Sequence, residues 1–231
     1  MNVDPAEIQK FDDLADQWWD LKGPFKPLHD LNPLRLAFIQ SGCTLAHQKI
    51  VDVGCGGGIL TEALSRIATS VLGIDQASTV LEVARNHAKE LSTPPNYECI
   101  TVEELAQREP NSFDVITCME LLEHVPDPYL TIGSLSTLLK PGGNLFCSTL
   151  NRTPSAFIKA ILGAEYILKM LPKGTHDYAR FIRPSEMAGW AQEHALHLKR
   201  MRGITYNFFM KSFSLSNDVS VNYLIHFQKE Q

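Results

Sequence analysis

The chain has 231 residues, 44% of them hydrophobic and 20% charged, with a formal net charge of −5. That is enough for one large α/β domain with a sizeable core. The acidic balance argues against a general nucleic-acid surface, so no nucleic-acid partner is expected. The polar, acidic N-terminus carries no signal peptide, and no apolar run reaches the length of a membrane span. The five cysteines (Cys43, Cys55, Cys99, Cys118 and Cys147) are scattered, with no C-x-x-C pair. They read as buried thiols of a reducing compartment rather than disulfides or zinc ligands, which points to the cytoplasm.

Residues 1–48 read as an N-terminal helical cap, broken at Gly23-Pro24-Phe25-Lys26-Pro27. From residue 49 short apolar strands alternate with amphipathic helices, the pattern of βαβ units around a parallel sheet. Strands are expected at 49–53, 70–74, 96–101, 113–118 and 143–149, and helices near 59–67, 78–91, 103–108 and 128–139. Lys140-Pro141-Gly142-Gly143 reads as a helix stop and turn. Two later stretches, 196–206 and 219–228, are expected to pair antiparallel at the sheet edge. The fold expected is Rossmann-like α/β, a mostly parallel seven-stranded sheet flanked by helices, with residues 49–231 forming the catalytic domain. The stretch 151–185 breaks the rhythm and reads as an insertion.

The most informative motif is Asp52-Val53-Gly54-Cys55-Gly56-Gly57-Gly58, between a strand and a helix. Glycines let the backbone turn tightly and let a ligand approach without a Cβ in the way. A dinucleotide fingerprint, G-x-G-x-x-G, would need glycine where Ile59 stands. The form present, with Asp52 ahead of Gly54, Gly56 and Gly58, resembles motif I of class I S-adenosylmethionine (SAM) methyltransferases. Asp75 ends the second strand about 20 residues on, where such folds place a ribose-binding acid; NAD is the main competing ligand.

The other strand ends add candidates. After the third strand, Val102 and its neighbours can pack an adenine face, or Glu103 and Glu104 simply favour a helix N-terminus. After the fourth, Met119 can cover a cofactor or belong to the core. Glu120, Glu123 and His124 share a face if their stretch is helical. They then suit a hard divalent ion such as Mg²⁺, or His124 alone serves as a general base, or the stretch is only structural.

Longer strings are more specific: Trp18-Trp19-Asp20, Leu31-Asn32-Pro33-Leu34-Arg35, Met119 through Pro128, Ser148-Thr149-Leu150-Asn151-Arg152-Thr153 and Gly174-Thr175-His176-Asp177-Tyr178. In this order they closely resemble the ubiquinone-biosynthesis O-methyltransferase family, over nearly the whole chain. The resemblance implies SAM as methyl donor, with Arg35, Gly54, Asp75 and Met119 at cofactor positions. It implies a polyprenylated catechol or demethylubiquinol acceptor, methylated on a ring oxygen. It also implies a divalent ion at Glu120, Glu123 and His124; without one, His124 or His176 takes the proton.

The apolar run 155–171, flanked by Lys159, Lys169 and Lys173, suits a helix lying in a bilayer interface, or a lid over the site. The expected partners are therefore a polyprenyl lipid, transiently a membrane surface, and a ubiquinone-biosynthesis complex, with the enzyme peripheral to the inner face of the membrane. Trp18 and Trp19 cap the acceptor pocket or dock the N-terminal helix on the core. A methyltransferase of small soluble phenols, an NAD-linked oxidoreductase and a silent SAM-binding subunit are the competing functions.

Overall fold

The computed structural model describes residues 2–157, 177–207 and 209–231. His176 and most of the 155–171 run lie outside them. Helices α1 (Pro5–Asp12) and α2 (Lys26–Gln40) come first, joined by a 3₁₀ turn at Ala15–Gln17. The alternating units follow as β1 (Lys49–Val53), α3 (Ile59–Ser65), β2 (Ser70–Asp75), α4 (Ser78–Ala88), β3 (Asn96–Cys99), α5 (Val102–Arg108), β4 (Phe113–Met119), α6 (Pro128–Leu138) and β5 (Leu139–Leu150). After the single turn α7 (Pro154–Ala156) come α8 (Pro184–Glu193), β6 (Leu196–Asn207), β7 (Ser212–Ser216) and β8 (Asn222–Lys229).

The strands form one sheet in the order β3-β2-β1-β4-β5-β8-β6-β7. The first five are parallel; β8 runs antiparallel to both β5 and β6. Two expectations are corrected. The sheet has eight strands, not seven: Ser212–Ser216 adds an antiparallel edge beside β6. The segment Lys140-Pro141-Gly142-Gly143 is not a separate turn but the bulged start of β5, with the register slipping against β4 between Phe113 and Val115 and Gly142 at φ +75°. A bulge absorbs extra residues without ending the strand.

Both sheet faces are buried, so the inner strands are apolar at nearly every position. Val51, Ile116, Cys118, Leu145, Cys147, Ile225 and Phe227 point to the layer containing Leu105, Ile132, Leu135, Met187 and Ala191, from α5, α6 and α8. Their neighbours Ile50, Val115, Phe146 and Leu224 point to the layer of α2 and α3, against Leu31, Phe38, Ile39, Leu60 and Leu64. Local chemistry starts the helices. Thr101 and Glu104 form a reciprocal capping box on α5, and Asp127 caps α6 ahead of Pro128.

His226 is a buried polar residue on this face. It stacks on Phe146 at 4.3 Å, and its Nε2 lies 2.9 Å from Asn144 Oδ1. Burial, with Arg200 and Lys199 nearby, pushes its pKa down to about 4 from the ordinary 6.5. The folded ring binds a proton less tightly than the unfolded one. Its stabilisation is therefore complete above pH 6.5 and is lost as pH falls through about 4. Denaturant melts of wild type and His226→Phe should diverge across this window, the variant losing less stability on acidification. The full shift would correspond to about 3 kcal/mol, and solvent screening brings the difference expected to about 1–2 kcal/mol; parallel curves would contradict it.

Candidate active site

The strand order reverses at β1 and β4, the place where open α/β sheets bind ligands beyond their strand ends. A cavity of about 730 Å³ opens there. Its floor is the glycine turn, where Gly54, Gly56 and Gly58 all have positive φ (+71°, +51° and +88°). Side chains also exclude any Cβ from this turn. One on Gly56 or Gly57 would overlap the Trp18 indole, and one on Gly58 the Tyr97 hydroxyl.

Asp52 lies beneath the turn and at the edge of the cavity. It is 3% exposed, and its carboxylate accepts from Thr117 Oγ1 on β4 and Thr61 Oγ1 on α3, both at 2.7 Å. Burial raises its pKa to about 6 against the pull of those two hydroxyls. Asp52 thus positions the turn by tying β1, α3 and β4 together. Asp75 is at the rim: its carboxylate accepts from the amides of Gly56 (2.8 Å) and Ala77 (2.9 Å) and lines the cavity. Burial nonetheless raises its pKa. Val102 and Ile100 line the same end, and Gln76 beside Asp75 has its amide Nε2 buried without a partner. A glycine cradle, a rim carboxylate, apolar walls and an unused amide donor fit an adenosine-bearing ligand.

The N-terminal helices roof this end. Trp18 stacks on Phe25 at 4.1 Å, and Trp19 donates from Nε1 to Gly57 O at 3.0 Å while stacking on His87 at 3.5 Å. The tryptophans therefore close the glycine side of the cavity rather than a distal acceptor pocket. His29 serves the same roof, its Nε2 lying 2.9 Å from Trp18 O.

Past Met119 the cavity meets four ionisable groups, Arg35, Glu120, Glu123 and His124. Arg35, 5% exposed on α2, donates to Glu120 Oε1 at 2.6 Å, and its Nε is buried without a partner. Glu123 is buried and accepts from Thr149 Oγ1 at 2.8 Å. Burial, then the neighbouring Glu120 charge, pushes its pKa up to about 8. His124 Nδ1 lies 2.9 Å from Glu7 Oε2 on α1, and its ring meets Phe11 edge-on. The expected metal set is corrected here. Residues 120–126 form a turn, not a helix, because Glu120 has φ +54°. The helical spacing expected for Glu120, Glu123 and His124 is therefore absent, and although all three line the cavity, each is held by its own partner. Among the described residues no three His, Cys, Asp or Glu side chains converge as a ligand set. As they stand, these residues do not fit a bound divalent ion.

Glu7 and Phe11 went unmarked in the sequence, as did Ile204, Phe213 and Val221 of the far wall; Leu31 and Leu150 of that wall stood only within the family strings.

A family model described as a methyltransferase domain matches residues 51–147. A relative from Albidiferax ferrireducens is 54% identical over 99% of this chain and 91% of its own length; one from Saccharophagus degradans is 54% identical over 99% and 98%. Both are named ubiquinone biosynthesis O-methyltransferase. The chain belongs to this family. The same fold occurs in magnesium protoporphyrin IX methyltransferase from Synechocystis PCC 6803, solved with bound SAM. That match has a TM-score of 0.66 at 15% identity and covers all of both chains. A SAM-dependent methyltransferase from Methanosarcina mazei matches at 0.63 and 19% identity, over 84% of this chain and 97% of its own. Here, then, is a class I SAM-dependent methyltransferase.

The contact between Trp18 and the glycines gives a direct test. Gly57 has ordinary backbone angles, so Gly57→Ala changes only the space under the indole. Overpacking of this kind costs about 1–3 kcal/mol. The variant should melt several degrees lower and bind S-adenosylhomocysteine more weakly. Unchanged melting and affinity would show that the roof is not seated on the turn.

Proposed function

We propose that this enzyme methylates a ring hydroxyl of polyprenyl catechol and demethylubiquinol intermediates in ubiquinone biosynthesis, with SAM as donor. One observation carries the reading: a single cavity runs from the glycine turn and Asp75, past Met119 and His124, to the apolar wall of Leu31, Leu150, Ile204, Phe213 and Val221. Donor and aromatic acceptor can meet there, and an apolar tail has a surface to lie on. The relatives named above support the same chemistry. A small soluble phenol would leave the far wall without a task.

Bound in the cradle, SAM supplies an electrophilic methyl whose C–S electrons return to sulfur as the new C–O bond forms. The chain must align the acceptor and take its proton, since a phenol titrates near pH 10. His124 is the proposed base. With its Nδ1–H donated to Glu7, the neutral ring has Nε2 as its accepting nitrogen. Burial pushes the Glu7 carboxyl up, but its hydrogen bonds to Lys10 and His124 outweigh this and leave its pKa lowered. Glu7 is thus anionic at neutral pH and orients the imidazole. Arg35 holds Glu120 and offsets negative charge beside the reacting oxygen. Val102, Asp75 and Gly56 are the proposed nucleoside contacts, with Gly54 opening the turn and Met119 separating donor from acceptor. His176, outside the described residues, is the alternative base.

In this reading the acceptor comes from a membrane. The enzyme works peripherally at the cytoplasmic face, in contact with a ubiquinone-biosynthesis complex. No helix among the described residues is long and apolar enough to cross a bilayer.

The assay is purified protein with SAM and a short-chain demethylubiquinol, following the O-methylated product by mass. His124→Ala should lower kcat by about 10²–10⁴ with a smaller change in KM. Glu7→Gln should lower it less and move the pH profile to lower values, because the imidazolium loses its anionic partner. Wild-type protein that methylates soluble phenols but not the quinol would reject the substrate class. Undiminished turnover in His124→Ala would reject the base.

A further inference from the structure

The edge hairpin of β6 and β7 is a second surface with a distinct chemistry. From Leu196 to Ser216 it carries four cationic residues (Lys199, Arg200, Arg202 and Lys211) and no carboxylate, in a chain whose net charge is −5. Lys199, Arg202 and Lys211 are exposed; Arg200 is engaged with Phe38 O and Ser41 Oγ on α2. The connection between the strands reads Phe208-Phe209-Met210-Lys211. There Phe209 is 100% exposed and Met210 75%, and Leu198 on β6 is also largely exposed. Large apolar side chains stripped of cover are costly in water, and this loop has no structural need of them. A polar loop would close the same hairpin, since Asn207 Oδ1 already accepts from the amides of Phe209 and Met210.

The hairpin is also continuous with the site. Ile204, Thr205 and Tyr206 on β6 and Phe213 on β7 line the cavity, so the strands that carry the tip wall its apolar end. On this basis we propose that the β6–β7 tip is a lipid-inserting element, with Phe209 and Met210 entering the acyl region of an anionic membrane and Lys199, Arg202 and Lys211 facing its headgroups. It docks the apolar end of the cavity against the bilayer from which the acceptor is drawn. The inference rests on the membrane-acceptor reading for its purpose, and on the hairpin's own exposure and charge for its partner. It is independent of the 155–171 run.

The test uses full-length protein and phosphatidylethanolamine/phosphatidylglycerol vesicles. The double variant Phe209→Asp, Met210→Asp should partition onto vesicles at least about tenfold less than wild type, and wild-type binding should weaken with salt. Phe209→Trp should show, in difference spectra against wild type, blue-shifted emission with vesicles and quenching by brominated acyl chains. Neither residue lines the cavity, so turnover on the short-chain quinol in solution should be unchanged in the double variant. Turnover on a long-chain quinol presented in vesicles should fall. Equal partitioning of wild type and double variant, or Trp emission indifferent to vesicles, would overturn the proposal. So would emission that shifts with protein concentration alone, which assigns the tip to a protein contact. Absence of solution turnover in wild type would instead remove the proposed reaction and leave the vesicle measurement to stand by itself.

Discussion

The buried Asp52 carboxyl is the constraint on which the site depends. It sits next to the end of a strand paired on both sides, and its two oxygens accept hydrogen bonds from the hydroxyls of Thr117 on β4 and Thr61 on the helix that follows the glycines. Burying a carboxyl is costly unless it is hydrogen-bonded. Here both bonds also fix geometry: Thr117 sets β4 in register with β1, and Thr61 pulls the first turn of α3 down toward the sheet. The glycine run between them has little freedom left, and its amides and open faces are presented upward. Asp75 meets it from the next strand through the Gly56 amide, so the floor of the cavity is braced from two sides.

The roof depends on that floor. Trp18 and Trp19 come from a segment with few buried residues of its own, and α1 buries none completely. They are seated because the glycines leave room for an indole and because Gly57 O accepts from Trp19. The same placement brings Glu7 across to His124. Closure of the glycine end of the cavity and orientation of the imidazole are therefore coupled, and a change in the turn should be felt at His124. At the far end, the antiparallel strands β8, β6 and β7 extend the sheet beyond what five βα units supply, and their inner side chains make the acceptor wall.

How legible this was in the sequence follows the range of the interactions. The strand-turn-helix around Gly54, the rim acid Asp75 and the capped start of α5 are local, and their residue types suffice to place them. Arg35 and Met119, which the family resemblance marked, both line the cavity. Asp52 was visible as a special residue, but whether it faces ligand or hydroxyl depends on Thr117, 65 residues away. The hydrogen bond between His124 and Glu7 spans 117 residues and leaves no spacing signal. The turn at 120–126 was hidden because the left-handed conformation falls on a glutamate, a residue type that rarely adopts it. Strand β7 was missed for a related reason. Three of the five residues of Ser212–Ser216 are serine, and the exposed apolar tip before it carries none of the glycine or proline that marks most turns.

The central claim is that the turn held by Asp52, with Asp75 at its rim, is a nucleoside cradle. Titration calorimetry of S-adenosylhomocysteine into wild type and Asp75→Ala tests it most directly. The account predicts one site per chain in wild type and affinity weaker by about tenfold or more in the variant, whose carboxylate bonds are gone. No heat in the folded wild-type protein, or equal affinity in the two, would contradict it.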